Sequence, residues 1–171
     1  MELEWVGYRF SSVELSVLMA LQGYQRIGAL PDIQPPTEEQ FKAGMAALEQ
    51  ADILNVVGGS VLMDQVYALL IANLCQCARF VSAAGKGNAA VLCHCGEMGM
   101  LLQALPRGSW VMTVAQTEKE LREAFLAAVN GFDQGGSVRV NGAPMGTAAN
   151  QVELNKLAGE ALALWPESPF G

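Results

Sequence analysis

The sequence has few charged residues and a single histidine. Charged residues make up 16% of its 171 residues, and 10 lysines and arginines stand against 17 aspartates and glutamates, for a formal net charge of −7. Nucleic acids and anionic membranes are both bound mainly through basic side chains. The charge balance therefore disfavours nucleic acid and membrane as partners, and it favours a basic or apolar partner.

Catalytic motifs with a recognisable spacing are also absent from the sequence. No G-x-S-x-G, P-loop, G-x-G-x-x-G or H-E-x-x-H pattern occurs. Gly85, Gly87 and the pair Gly135-Gly136 fit turns, and their neighbours are unsuited to cradling a phosphate. This favours a protein that is not an enzyme and that needs no cofactor.

No export signal can be recognised. Residues 1–4, MELE, lack the basic flank and the apolar run of a signal peptide. The apolar stretch 66–85 is interrupted by Asn73, Gln76 and Arg79, which favours a buried core helix over a membrane span. Four cysteines without an export signal indicate reduced thiols. We therefore expect a cytoplasmic protein.

Apolar residues, in contrast, make up 51% of the chain, so a large buried core is expected. Residues 4–10 are aromatic and β-branched, which is typical of a strand. Ser11 to Glu14 and Thr37 to Gln40 have the pattern of capping boxes, in which the first and last side chains bond each other's backbone amides. These patterns predict two helices, which end near Gly23 and Gln50.

A pair of glycines marks a turn in the next segment. The apolar runs 53–57 and 60–63 flank Gly58-Gly59, and glycine supplies the positive φ angles that tight hairpin turns need. The sequence therefore predicts a β-hairpin. Asp64 follows it as a candidate N-cap for a long helix that runs to about Val81.

Helix, proline-broken connection, helix, hairpin and helix is the element order of a winged-helix unit. Residues 11–63 resemble that family, most clearly in TEEQFKAGMAALEQADILNVVGGSVLM. The resemblance implies a DNA-binding or ligand-sensing regulator, with the helix before the hairpin in the major groove. That helix, residues 37–50, carries three glutamates against Lys42 alone, so we favour a scaffold for protein contacts.

The rest of the chain predicts a sheet with helices. Strands are expected at 89–95, 100–105, 110–115 and 137–141, and helices at 117–130 and 147–164. Thr117 to Glu120 forms a third capping-box pattern at the start of the first of these helices. The expected fold class is α+β: a winged-helix-like unit over residues 1–63, then a mostly antiparallel sheet flanked by helices over residues 64–171. The two units could share one core.

From Asp64 onward the predicted order is helix, three strands, helix, one strand, helix. This order is similar to that of the small acidic chaperones of bacterial type III secretion and, less closely, to that of the ESX-type secretion chaperones. The similarity implies a protein as the partner. The first expectation is therefore a non-enzymatic adaptor or secretion-chaperone-like factor, and the winged-helix regulator is the alternative.

Cys93, His94 and Cys95 are the most suggestive cluster of reactive side chains. In a strand, successive side chains alternate between faces, so the two cysteines would point one way and His94 the other. Buried thiols are expected on this basis, with His94 on the solvent face, since free cysteine packs as a small apolar residue. The other interpretation is a weak metal site or a small thiol or metal-dependent enzyme built around these three residues.

Candidate binding residues are apolar side chains near the predicted sheet and in the C-terminal tail. Methionine is flexible enough to suit an adaptable partner surface. The tail could dock on the chain's own body or on a second copy, so a homodimer is an alternative to a different protein partner. The candidates are Met98, Met100, Trp110, Met112, Trp165 and Phe170.

Overall fold

The computed structural model describes residues 6–77, 79–95, 98–105, 108–115, 118–132 and 134–164. Its helices are α1 (Ser12–Leu21), α2 (Glu38–Gln50), α3 (Gln65–Gln76), α4 (Glu118–Asn130) and α5 (Gln151–Leu164). Its strands are β1 (Val6–Ser11), β2 (Leu54–Val57), β3 (Ser60–Met63), β4 (Arg79–Gly85), β5 (Asn88–Cys95), β6 (Met98–Leu105), β7 (Ser109–Ala115), β8 (Gly136–Val140) and β9 (Ala143–Ala148).

Seven of these strands form one antiparallel sheet in the order β1-β7-β6-β5-β4-β8-β9. The N-terminal strand β1 pairs with β7, with Phe10 opposite Trp110, so the start of the chain joins the sheet of the C-terminal part. Strands β2 and β3 form a separate two-stranded sheet. The α+β fold class with an antiparallel sheet is thus confirmed.

Each face of the seven-stranded sheet carries its own core. On β5, Val91 and Cys93 belong to a cluster that also contains buried residues of α1, α2 and α3. Ala90 and Leu92, which alternate with them, belong to a second cluster with residues of α4 and α5. We call these sides the α1–α3 face and the α4–α5 face. The first cluster joins residues from before residue 63, such as Leu18, with residues of the sheet. The division of the chain into two units after residue 63 stays a prediction.

The local signals near the N-terminus are confirmed. Ser11 Oγ accepts from the Glu14 amide and Glu14 Oε1 accepts from the Ser11 amide, and Thr37 and Gln40 bond in the same reciprocal way. Gly58 and Gly59 have φ angles of +57° and +82°, and the hairpin forms around them. Thr117, the first residue of the third capping-box pattern, lies outside the described residues.

Two predictions about secondary structure are wrong. The helix capped by Asp64 ends at Gln76 rather than near Val81, and the apolar residues that follow form β4. Since β4 lies between β5 and β8 and is covered on both faces, it lacks the alternation that separates a strand from a buried helix. The last helix, α5, starts at Gln151 rather than at Thr147, because the residues before it belong to strand β9. Strand β9 was not predicted, since Pro144 disfavours a strand except at a sheet edge, which is where β9 lies.

Among the described helices, none is both long and apolar enough to cross a membrane.

Candidate functional site

Exposed large apolar side chains are concentrated on the hairpin and on the first turns of α3. In the part of the chain that the structure describes, the only others are Val152 and Leu164 on α5. The concentrated set is between 40% and 57% exposed, and we call it the hairpin–α3 patch: Val56, Val57, Val61, Leu62, Val66 and Leu69. Exposed apolar side chains concentrated on two consecutive elements favour an interaction surface.

The hairpin carries apolar side chains on both of its faces. Val56 lies opposite Val61 on one face, whereas Val57 and Leu62 lie on the other, next to Asn55 and Ser60. A hairpin that covered a core with one face would keep the other face polar. Both faces therefore remain available to another molecule.

The base of the hairpin is anchored in the core. Leu54 is buried in the cluster of the α1–α3 face, and its cross-strand partner Met63 packs against that cluster. The Asp64 amide donates to the Ile53 carbonyl at 2.9 Å, which closes the base of the hairpin. An isolated two-stranded hairpin is marginally stable in water, so this anchor holds the exposed tip in place.

Gln22 links α1 to the elements that carry the patch. Its Nε2 donates to the Ala68 carbonyl on α3 at 3.0 Å and lies 3.5 Å from Met63 Sδ on β3. The link reaches the end of the hairpin and α3 together. It therefore favours a fixed orientation between the two parts of the patch.

Helix α3 divides its apolar residues between the core and the patch. Leu70, Ile71 and Leu74 are buried, whereas Val66 and Leu69 lie three residues apart on an exposed side of the helix. Its start is fixed because Asp64 Oδ1 accepts from the Val66 amide at 2.9 Å. The second half of the patch is thus held by an ordered helix.

Tyr67 fixes α3 against β1. Its ring meets the rings of Tyr8 and Phe10 edge-to-face, at centroid distances of 5.3 and 5.8 Å. Burial raises the pKa of the Tyr67 hydroxyl, and the neighbouring Tyr8 and Asp64 raise it further. The phenol therefore stays neutral at physiological pH and acts as a packing group.

The charged residues of the segment that carries the patch are all of one sign. Between Lys42 and Arg79 the sequence has no basic residue, whereas Glu49, Asp52 and Asp64 fall in that interval. Asp52 and Asp64 are exposed at the two ends of the hairpin segment. This segment therefore contributes only negative charge, which suits a partner with basic residues beside an apolar segment.

Cys93 and His94 of the Cys93-His94-Cys95 cluster are in the interior. Cys93 is buried in the core of the α1–α3 face, and strand alternation directs His94 to the α4–α5 face with Leu92. The expectation that His94 is on the solvent face is wrong, because His94 is only 5% exposed. The side chain of Cys95 lies outside the described residues.

None of the three described cysteine side chains has the features of a reactive thiol: Cys77 and Cys93 are buried, and the pKa of Cys75 is raised. Cys77 Sγ donates to the carbonyls of Arg79 and His94, both at 3.3 Å, and so ties the end of α3 to β4 and β5. Burial raises the pKa of Cys75 to about 11, so little nucleophilic thiolate forms at neutral pH. Within the described ranges, no group of three or more His, Cys, Asp or Glu side chains could hold a metal ion.

Of the residues predicted to bind a partner, the three whose side chains are described lie in or against one core. Met100 and Met112 are fully buried in the core of the α1–α3 face, and Trp110 is half-buried against that core. The side chain of Met98 and residues 165–171, with Trp165 and Phe170, lie outside what the structure describes. A binding role for this set stays a prediction.

The hairpin–α3 patch was not identified from the sequence, although a signal for it was present. Val56-Val57 and Val61-Leu62 are consecutive apolar pairs, one on each strand of the hairpin. Since successive strand residues point to opposite faces, such pairs place apolar side chains on both faces. Two-sided apolar patterning in an isolated hairpin indicates an interaction surface.

No protein-family model matches the sequence, and no curated protein matches it. Among solved structures, the chain is similar to the type VII secretion system chaperone EspG5 of Mycobacterium tuberculosis, solved in complex with the PE25–PPE41 dimer. The TM-score is 0.56 at 11% sequence identity, and the match covers 77% of this chain. It covers 54% of the chaperone chain, so this chain spans about half the length of that protein. The likeness is one of fold, and it agrees with the expected similarity to secretion chaperones.

Proposed function

We propose that this protein is a non-enzymatic adaptor, similar to a secretion chaperone, that binds another protein through the hairpin–α3 patch. The observation that carries the proposal is the gathering of six exposed, large apolar side chains on an anchored hairpin and the helix that follows it. Fully burying one such side chain stabilises a complex by about 1.5–3 kcal/mol. Covering even part of the patch is therefore a substantial driving force for association.

The partner we propose is a protein that presents an apolar segment flanked by lysine or arginine. The apolar part would cover Val57 and Leu62, which lie on one face of the hairpin, and a basic residue beside it would meet Asp52 and Asp64 at the base of the hairpin. The net charge of −7 would speed the encounter with such a segment and would disfavour a second copy of the same chain.

The fold likeness supports a chaperone-like role. EspG5 is described as a secretion chaperone and was solved in complex with a dimer of two other proteins. A related fold in this chain supports a protein as its partner. The identity of that partner, a cytoplasmic location and a bacterial secretion pathway belong to the proposal.

A winged-helix regulator is the alternative function. Its proposed recognition helix, α2, exposes Glu38, Glu39 and Glu49. The one basic residue of that helix, Lys42, has its Nζ 3.5 Å from Glu38 Oε1 and so pairs with one of these glutamates. An acidic helix of this kind repels phosphates, so we favour protein over DNA. DNA binding predicts retention of duplex DNA that salt weakens, and a flat binding curve at low salt would exclude it.

The proposal is tested by capturing partners on the purified protein and on two matched variants. Leu62→Asp places a charge in the patch, and Val152→Asp places the same charge on exposed α5. We expect the wild type and Val152→Asp to retain the same protein, with an apolar and basic binding segment, and Leu62→Asp to lose it. Equal capture by all three would contradict the proposal, as would a wild-type dimer that Leu62→Asp dissociates.

A further inference from the structure

A cavity of about 290 Å³ lies on the α1–α3 face, between the loop 29–33 and the sheet. Its walls include Leu30 and Ile33 from the loop and Val91 and Trp110 from the sheet. None of the six residues of the hairpin–α3 patch lines it. The cavity is therefore a feature separate from the proposed protein-binding surface.

Small side chains in adjacent strands create this space. Ala84 on β4 is paired with Ala89 on β5 and with Ser137 on β8, and all three line the cavity. In the next row, Ser82 lies between Val91 and Arg139. Because cross-strand partners point to the same face, the first row forms a floor of small side chains beneath the loop, and Ser82 and Arg139 lie beside it.

Arg139 is the one basic side chain that lines the cavity among the described residues. No described acidic side chain lies within ion-pair distance of it, and Ser82 and Ser137, which carry hydroxyls, line the same cavity. A guanidinium group presents a planar fork of donors that matches a carboxylate. Asp32 also lines the cavity, so a ligand with several negative charges would be repelled.

We propose that this cavity binds a small molecule with one carboxylate on an apolar body. The carboxylate would pair with Arg139 and accept from the serine hydroxyls, and the apolar body would pack on Trp110 and Val91. Ligand sites combine mainly apolar walls with a few placed polar groups, and this volume suits a molecule about as large as an amino acid. The proposal does not depend on the protein-binding role.

The test measures binding of a panel of acids, each compared with its uncharged amide. Benzoate, phenylacetate, 3-phenylpropionate and hexanoate serve as probes. With Trp5 and Trp165 changed to Phe, Trp110 is the sole tryptophan and reports binding by its fluorescence. Because the Arg139 side chain is exposed and solvent screens its pair with a carboxylate, the amide should bind about two- to fivefold more weakly than the acid.

Variants place the binding in the cavity. We expect Arg139→Gln to weaken binding of the acid about two- to fivefold, and we expect Arg26→Gln, at an equally exposed arginine outside the cavity, to leave the affinity unchanged. Ala84→Leu should fill the floor and abolish binding, with the far-ultraviolet circular dichroism spectrum retained. Failure of every acid to bind, equal affinity for acid and amide, or unchanged affinity in Arg139→Gln would overturn the proposal.

Discussion

Val56 and Val61 lie directly opposite each other across the β2–β3 hairpin, and they are 42% and 40% exposed. They share a hairpin face with Leu54 and Met63, which pack into the core at the base. One apolar face thus begins inside the protein and continues into solvent. A face that served only the fold would be expected to turn polar at the tip.

The hairpin turn depends on glycine at a position that other residues adopt poorly. Gly59 has a φ angle of +82°, and a side chain there costs about 1–2 kcal/mol of backbone strain. We therefore expect Gly59→Ala to speed hydrogen exchange of the β2 and β3 amides while the seven-stranded sheet stays protected. Gly58→Asn is the control, because asparagine adopts positive φ angles more readily. Unchanged exchange in Gly59→Ala would contradict the strain argument.

Close packing between α1 and α2 requires Gly44. A Cβ atom at Gly44 would lie 2.5 Å from Val17 Cγ2, and Val17 is fully buried. Overpacking costs about 1–3 kcal/mol, which exceeds the gain of up to about 1 kcal/mol from placing alanine in a helix. We expect Gly44→Ala to lower the free energy of unfolding, as measured by denaturant titration.

Gly159 on α5 is the matched control for Gly44. A Cβ atom there would have nothing within 4 Å, so only helix propensity changes. Gly159→Ala should raise the free energy of unfolding by about 0.5–1 kcal/mol. If both substitutions shifted stability in the same direction, the contact between Gly44 and Val17 would not control the packing.

The raised pKa of Cys75 predicts a loss of stability at high pH. Below pH 9 the thiol is protonated in both the folded and the unfolded chain, and stability does not depend on it. Because burial raises its folded pKa from 9.0 to about 11, the unfolded chain loses the proton first as pH rises. The free energy of unfolding should therefore fall between pH 9 and pH 11 more steeply in the wild type than in Cys75→Ala. Parallel curves for the two proteins would refute this origin.

Local signals were sufficient for the starts of α1, α2 and α3 and for the hairpin turn. The Ser11–Glu14 bonds and the glycines at 58 and 59 act between residues close in sequence, so the pattern contains the whole interaction. Strand β4 was mistaken for the end of a helix because its form is set by pairing with β5 and β8. A long stretch of chain separates β8 from β4, and local periodicity contains no information about such a distant pairing.

The proposed binding surfaces were harder to predict for the same reason. Which end of the hairpin enters the core depends on where Leu54 meets the α1–α3 face, and that contact is tertiary. The cavity depends on the register that places Ser82 beside Arg139, across two strands distant in sequence. His94 was misplaced because the helices that cover the α4–α5 face of the sheet come later in the chain.

The most direct test of the central claim is site-specific photo-cross-linking in living cells. The photoreactive residue p-benzoylphenylalanine replaces Leu62 in one variant of the chain. In a second variant it replaces Val152, which is 79% exposed. The protein-binding role predicts an adduct from position 62 to a different protein, through an apolar segment flanked by basic residues, and none from position 152. Equal adducts from both positions, no adduct from position 62, or an adduct only to a second copy of the chain would contradict it.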